Sequence, residues 1–130
     1  MSCNAANHNA LLAELCFGTM TKKLHFNIGD IQSSYHLDSE DPELKQRVEQ
    51  NITADLQYAC QHWAQHMEQA ESINTDNFHN SINNLFPIQV FFWIEAMNLL
   101  SLSDKCIWIL QKAHKWVLEV RISGLKINYD

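Results

Sequence analysis

Glycine and proline are scarce in this 130-residue chain, which has three glycines and two prolines. Few positions can take a positive φ at low cost, and this argues against a sandwich or barrel with many tight turns. None of the glycines (Gly18, Gly29 and Gly124) lies in a G-x-x-x-x-G-K-[ST] loop or a G-x-G-x-x-G turn. The sequence therefore favours helices and lacks both glycine-rich motifs that hold nucleotide phosphates.

Clustered positive charge is also lacking. The formal net charge is −6, with 9 Lys and Arg against 15 Asp and Glu. Residues 38–71 are strongly acidic and residues 104–126 are mildly basic, so we expect that these two regions can face each other. Nucleic-acid binding needs grouped cations that replace phosphate counterions. The composition excludes a nucleic-acid partner of that kind.

The four cysteines form no C-x-x-C pair, and the N-terminal residues lack the basic and apolar regions of a secretory leader. We therefore expect reduced, buried thiols at Cys3, Cys16, Cys60 and Cys106, and a cytoplasmic location. No metal or organic cofactor is expected.

An uninterrupted hydrophobic run is missing as well. The most apolar window, residues 85–102, contains Pro87, Gln89, Glu95 and Asn98. A charge near the middle of a membrane span is costly in hydrocarbon. The window predicts a core helix, and we expect no membrane partner.

What the chain does have is apolar and aromatic content: 46% of residues are hydrophobic and 10% are aromatic. A chain of this size can build one sizeable core. The sequence predicts a single helical domain over residues 1–130. It should be a mainly α, compact bundle of five or six helices, with at most one short β element near residues 24–28.

Apolar periodicity and capping residues locate the helices. Helices are predicted over residues 9–23, 42–71, 76–84, from Pro87 to about residue 100, and from residue 103 onward. The stretch 42–71 is either one bent helix or two. The helix that starts at Pro87 is expected to be the central one. Residues 31–40 are predicted to form a loop, and 122–130 an extended or frayed tail. The expected core contains Leu15, Cys16, Met20, Leu56, Cys60, Trp63, Trp93, Met97, Leu110, Ala113, Trp116 and Val117.

Two histidines four residues apart, His62 and His66, have the ligand spacing of a zinc helix. A zincin places Glu directly after the first His, and this chain has Trp63 there. No third ligand stands at a suitable spacing. A metal-dependent helical enzyme using these two residues is the alternative to a non-catalytic protein.

The last predicted helix leaves three large apolar residues opposite its core stripe: Ile107, Trp108 and Leu118. Exposed apolar groups of this size indicate a partner site. Lys105, Lys112 and Lys115 would rim it and favour an acidic partner, such as a second copy of the chain. The alternative is that residues 122–129 fold back over Trp108.

One set of motifs is more specific than a generic helical domain. It consists of CF-x-x-M, L-x-FNI, SSY and YAC-x-x-W, in that order. Its residues are Cys16, Phe17, Met20, Phe26, Asn27, Ile28, Ser34, Tyr35, Tyr58, Ala59, Cys60 and Trp63. Over roughly residues 10–100, the chain resembles a segment of fungal NACHT-type NTPases. These are NLR-like signalling proteins of the STAND class, often with C-terminal WD repeats.

The resemblance implies that residues 1–37 correspond to the end of a winged-helix subdomain and residues 38–121 to the helical region that follows. In that family, the helices at this point have a packing and relay role between the NTPase core and the repeats. The phosphate-binding loop, the acidic Mg²⁺ strand and the repeats are absent from this sequence, so the family's ATPase activity is not implied. A truncated paralogue, a gene fragment or an imprecise gene model would each give this pattern. The alternative is a free-standing helical adaptor with no NLR connection.

Overall fold

A computed structural model of the chain describes the backbone of residues 2–28, 42–71 and 73–129. It describes their side chains apart from those of 2–4, 42, 44 and 121–129. The elements are α1 (Ser2–Lys23), α2 (Pro42–Asn51), α3 (Ala54–Gln69), α4 (Thr75–Asn84), a π-helical turn (Leu85–Gln89), α5 (Val90–Leu99) and α6 (Ser103–Tyr129). Because α4, the π-helical turn and α5 are continuous, the described residues form five helical rods. The described residues contain no strand, and the predicted mainly α bundle is confirmed.

Residues 24–28, where at most one short β element was expected, form a turn. The Leu24 amide donates to the Met20 carbonyl at 2.9 Å and extends the hydrogen bonding of α1. Asn27 then takes a φ of 53°, and the Ile28 amide donates to Glu95 Oε1 at 2.9 Å. Leu24 and Ile28 are buried around this turn. The alternation of apolar and polar residues in this stretch of sequence is not an alternation of burial, because the middle apolar residue, Phe26, is 78% exposed in the turn.

Helix α1 is rotated relative to the sequence prediction. Its buried face includes Ala6, Ala10, Ala13 and Phe17, whereas Leu15 lies opposite and is 58% exposed. The assignment of Leu15 to the core is therefore wrong. Small residues allow α1 and α3 to pack closely along their lengths.

The region 42–71 contains two helices, because Thr53 has extended backbone angles (φ −67°, ψ 163°) and α3 begins after it. An apolar stripe that begins just before α3 and ends just after it is buried throughout: Ile52, Leu56, Ala59, Cys60, Trp63, Met67 and Ala70. Among the described residues, α3 packs against α1, α5 and α6. The central helix is therefore α3, rather than the apolar helix that the sequence placed in the centre.

Pro87 was predicted to begin a helix, but it lies inside the π-helical turn. The Val90 amide bonds to the Leu85 carbonyl, five residues back. The missing amide of Pro87 interrupts the regular helix, and the wider turn accommodates its ring. The α4 residues Phe78 and Ile82 point inward, together with Leu85 of the turn.

Residues 122–129 continue α6, so the prediction of an extended or frayed tail is wrong. A straight continuation also removes the alternative in which this segment folds back over Trp108. Tyr35 and Ser34, with the rest of the predicted loop 31–40, lie outside the described residues, as do Asp41 and Asp130.

Aromatic rings fill the centre of the bundle. Trp63 packs edge-on against Trp93, with ring centroids 6.1 Å apart. It also packs against Phe17, with ring centroids 5.6 Å apart. Trp93 Nε1 donates to the Cys60 carbonyl at 2.9 Å, which joins α5 to α3. The remaining predicted core residues are buried, apart from Leu110 and Val117, which are partly buried against the core. No helix in the described ranges has the length and apolarity needed to cross a membrane.

Candidate interaction surface

Three large apolar side chains project from α6 into solvent, as the sequence predicted. Ile107 is 64% exposed, Trp108 is 74% exposed and Leu118 is 43% exposed. The opposite face of α6 is anchored in the core by Cys106, Ile109, Ala113 and Trp116. Because both faces belong to one continuous helix, burial of the inner face fixes the direction of the outer one. We call Ile107, Trp108 and Leu118 the α6 patch.

Helical geometry gives the α6 patch its shape. At 100° per residue, Ile107 and Leu118 lie about 20° apart around the axis and about 16 Å apart along it. Trp108 lies to one side of this line. Gln111 and His114, both exposed, occupy the surface between the two aliphatic residues, whereas Lys115 lies on the same side as Trp108. The patch is therefore an elongated strip suited to another helix.

The three lysines of the predicted rim are exposed, but one of them forms an ion pair within the molecule. Lys112 Nζ lies 3.3 Å from Glu68 Oε1 on α3. This ion pair joins the basic region 104–126 to the acidic region 38–71, which the sequence suggested could face each other. Lys105 and Lys115 are exposed beside the patch. Because the charge of Lys112 is partly neutralised by Glu68, Lys105 and Lys115 offer more of the positive charge that a partner could bind.

A second apolar surface, between α1 and α3, was missed by sequence reasoning. Leu11, Leu15 and Tyr58 are exposed there. Leu15 and Tyr58 line an open groove of about 270 Å³ that also reaches Cys16. The signal was present in the sequence, because Ala6, Ala10 and Ala13 form a helical stripe opposite the two leucines.

His66 is held by two hydrogen bonds rather than free to bind a metal. Its Nε2 lies 2.6 Å from the Tyr58 hydroxyl, and its Nδ1 lies 2.9 Å from Asn9 Oδ1 on α1. The ring centroids of His62 and His66 are 6.3 Å apart. Burial and the neighbouring His62 and His8 lower the pKa of His66. No group of three or more metal-ligating side chains is found in the described part of the chain.

The described cysteines are free and buried: Cys16, Cys60 and Cys106. Burial raises the pKa of Cys16 to about 11 and that of Cys60 to about 12. A nucleophilic cysteine needs an accessible thiolate. These three thiols are packing groups, as predicted, whereas the side chain of Cys3 lies outside the described set.

The residues of the family-like motifs are divided between core and surface. Half of them are buried where α1 and α3 meet: Cys16, Phe17, Met20, Ala59, Cys60 and Trp63. Ile28 is also buried, whereas Phe26 and Tyr58 are exposed and Asn27 occupies the left-handed turn position. The structure thus brings the first and last motifs together as packing residues.

Comparison with family models, curated proteins and solved structures finds no match to this chain.

Proposed function

We propose that this chain is a non-catalytic, cytoplasmic helical region that works by binding protein. It acts as a packing and relay element of an NLR-like signalling NTPase, in keeping with the family resemblance of its sequence. The partner is the NTPase or repeat region of such a protein, or another copy of the chain. The surface that makes the contact is the α6 patch.

The exposure of Ile107, Trp108 and Leu118 is the observation that carries this proposal. Each lies opposite side chains that are anchored in the core, so the patch cannot turn inward without unpacking α6. Tryptophan is among the residues most often found at the energetic centre of protein interfaces. A partner helix lying along α6 would remove all three side chains from water.

The chemistry of the described ionisable groups supports a binding role rather than a catalytic one. Both ring nitrogens of His66 are engaged within the molecule, by Tyr58 and Asn9. Burial raises the pKa of the Cys60 thiol to about 12, far from the range in which a thiolate forms at neutral pH.

Site-specific photocrosslinking in cells tests the interaction surface. A photoreactive phenylalanine analogue replaces Trp108 or Ile107, and in matched controls it replaces Gln65 on α3 or Glu49 on α2, which are also exposed. We expect discrete crosslinked protein bands from the two α6 positions and none from the controls. Equal labelling from all four positions, or none from α6, would overturn the proposed surface.

The NLR-like origin is tested separately by sequencing the full-length transcript. Continuity with an upstream glycine-rich phosphate loop supports a relay region of an NTPase. A transcript without that loop supports the free-standing adaptor instead. Elemental analysis of the purified protein tests the metal-dependent alternative, because stoichiometric zinc that is lost in His62→Ala would overturn the non-catalytic proposal.

A further inference from the structure

The α6 patch is self-complementary, and we propose that it binds a second copy of itself with the two α6 helices antiparallel. This inference rests on the proposed function, because it uses the same surface and names its partner. The arrangement places Ile107 of one copy against Leu118 of the other, twice, about a two-fold axis near Gln111 and Lys112. Symmetric pairing of one patch with itself is the commonest route to a soluble dimer.

The aromatic side of the patch supports the antiparallel direction. Trp108 and Lys115 are both exposed and lie within about 20° of each other around the α6 axis. Residues on the same side of two antiparallel helices meet across the two-fold axis. Trp108 of each copy therefore lies beside Lys115 of the other, where an ammonium group can pack on an indole face.

The positive charge on this side distinguishes the two possible directions. In a parallel arrangement Lys115 would lie level with Lys115 of the other copy, and like charges repel. In the antiparallel arrangement each Lys115 lies beside Trp108 instead. Lys105 and Glu119 lie about 160° and 120° from Ile107 around the axis and take no part in the contact.

The middle of the strip also matches itself in this arrangement. Gln111 of one copy lies level with His114 of the other, so polar residues face polar ones between the two apolar contacts. Lys112 lies about 140° from Ile107 around the axis, is 3.3 Å from Glu68 of its own molecule, and does not face the partner.

The size of the contact sets its strength. One pair of helices with three apolar side chains from each copy buries less than the ~1,200 Å² at which standard interfaces begin. Contacts of this size are weak or transient. We therefore expect a monomer–dimer equilibrium with a dissociation constant in the range of tens to hundreds of micromolar.

Sedimentation velocity of the full chain, from about ten to several hundred micromolar, tests the dimer. The perturbing variant is Trp108→Glu. The matched control is Phe91→Glu on α5, which removes another aromatic side chain that is 66% exposed. We expect at least a tenfold weaker dimer for Trp108→Glu and no change for Phe91→Glu. Circular dichroism checks that both variants stay folded, as exposed positions should allow.

The direction is tested by crosslinking. In a mixture of Ile107→Cys and Leu118→Cys proteins, oxidation should give the mixed disulfide dimer. Predominant Ile107→Cys homodimers would overturn the antiparallel arrangement.

Two results separate this inference from the proposed function. A wild-type chain that stays monomeric at several hundred micromolar overturns the second-copy inference. If Trp108 then still crosslinks to a different protein in cells, the proposed interaction role stands. Equal weakening by Phe91→Glu and Trp108→Glu would overturn the assignment of the dimer contact to α6.

Discussion

The two central tryptophans should respond differently to the same substitution by phenylalanine. Both side chains are completely buried, and they pack edge-on against each other at 6.1 Å. Trp93 Nε1 donates to the Cys60 carbonyl. Trp63 Nε1 is buried without a hydrogen-bond partner among the described residues. Trp63→Phe and Trp93→Phe therefore remove similar volumes and differ in the fate of one N–H group.

The hydrogen bonds set the size of the difference. A buried donor without a partner costs about 1–3 kcal/mol, and removing it recovers that energy. Loss of the Trp93 hydrogen bond costs about 1 kcal/mol. Because each variant keeps a phenyl ring at the substituted position, the two variants lose similar amounts of ring contact. Trp63→Phe should therefore be more stable than Trp93→Phe by about 2–4 kcal/mol.

Urea unfolding followed by circular dichroism at about 222 nm measures this difference, since each variant loses a fluorescent tryptophan and the helical signal does not depend on it. Trp63→Ala serves as the reference for losing the whole ring and should cost about 3–5 kcal/mol. Equal midpoints for the two phenylalanine variants, or a lower midpoint for Trp63→Phe, would refute the assignment of an unpaired indole N–H at residue 63.

Three further predictions concern the surface and the turns. The pKa of His66 is lowered in the folded protein, so the unfolded chain takes up a proton at a higher pH than the folded chain does. Stability should therefore be full above the ordinary His pKa of 6.5 and fall as the pH drops below it. Urea unfolding across pH 7.5 to 5 should show a smaller loss of stability in His66→Gln than in the wild type. Lys23→Met should raise the pKa of Asp55 from about 2 towards 3.8, because Lys23 Nζ bonds Asp55 Oδ2 at 2.6 Å, whereas Lys22→Met should leave it unchanged; NMR titration of the carboxyl carbon measures both. Ser101 has a φ of 61°, so Ser101→Gly should raise the free energy of unfolding by about 0.5–1 kcal/mol, and an unchanged or lower urea midpoint would contradict this.

Sequence periodicity identified α3 because its large apolar residues are also its buried ones. The same reasoning failed for α1, where leucine was expected inside and alanine is found there. The π-helical turn was missed because proline was taken as a helix start, and a π turn has no simple sequence signature. The exposure of Trp108 was predictable from α6 alone. The hydrogen bond from His66 Nδ1 to Asn9 Oδ1 was not, since it joins residues 57 positions apart.

The alanine face of α1 has an evolutionary consequence. Ala6, Ala10 and Ala13 are almost completely buried, so a larger side chain at any of these positions must displace its neighbours. Selection should accept little beyond glycine, alanine and serine there. Leu11 and Leu15, on the opposite face, are free to change as far as folding is concerned. Descendants of this sequence that retain these two leucines would therefore be retaining them for what they bind.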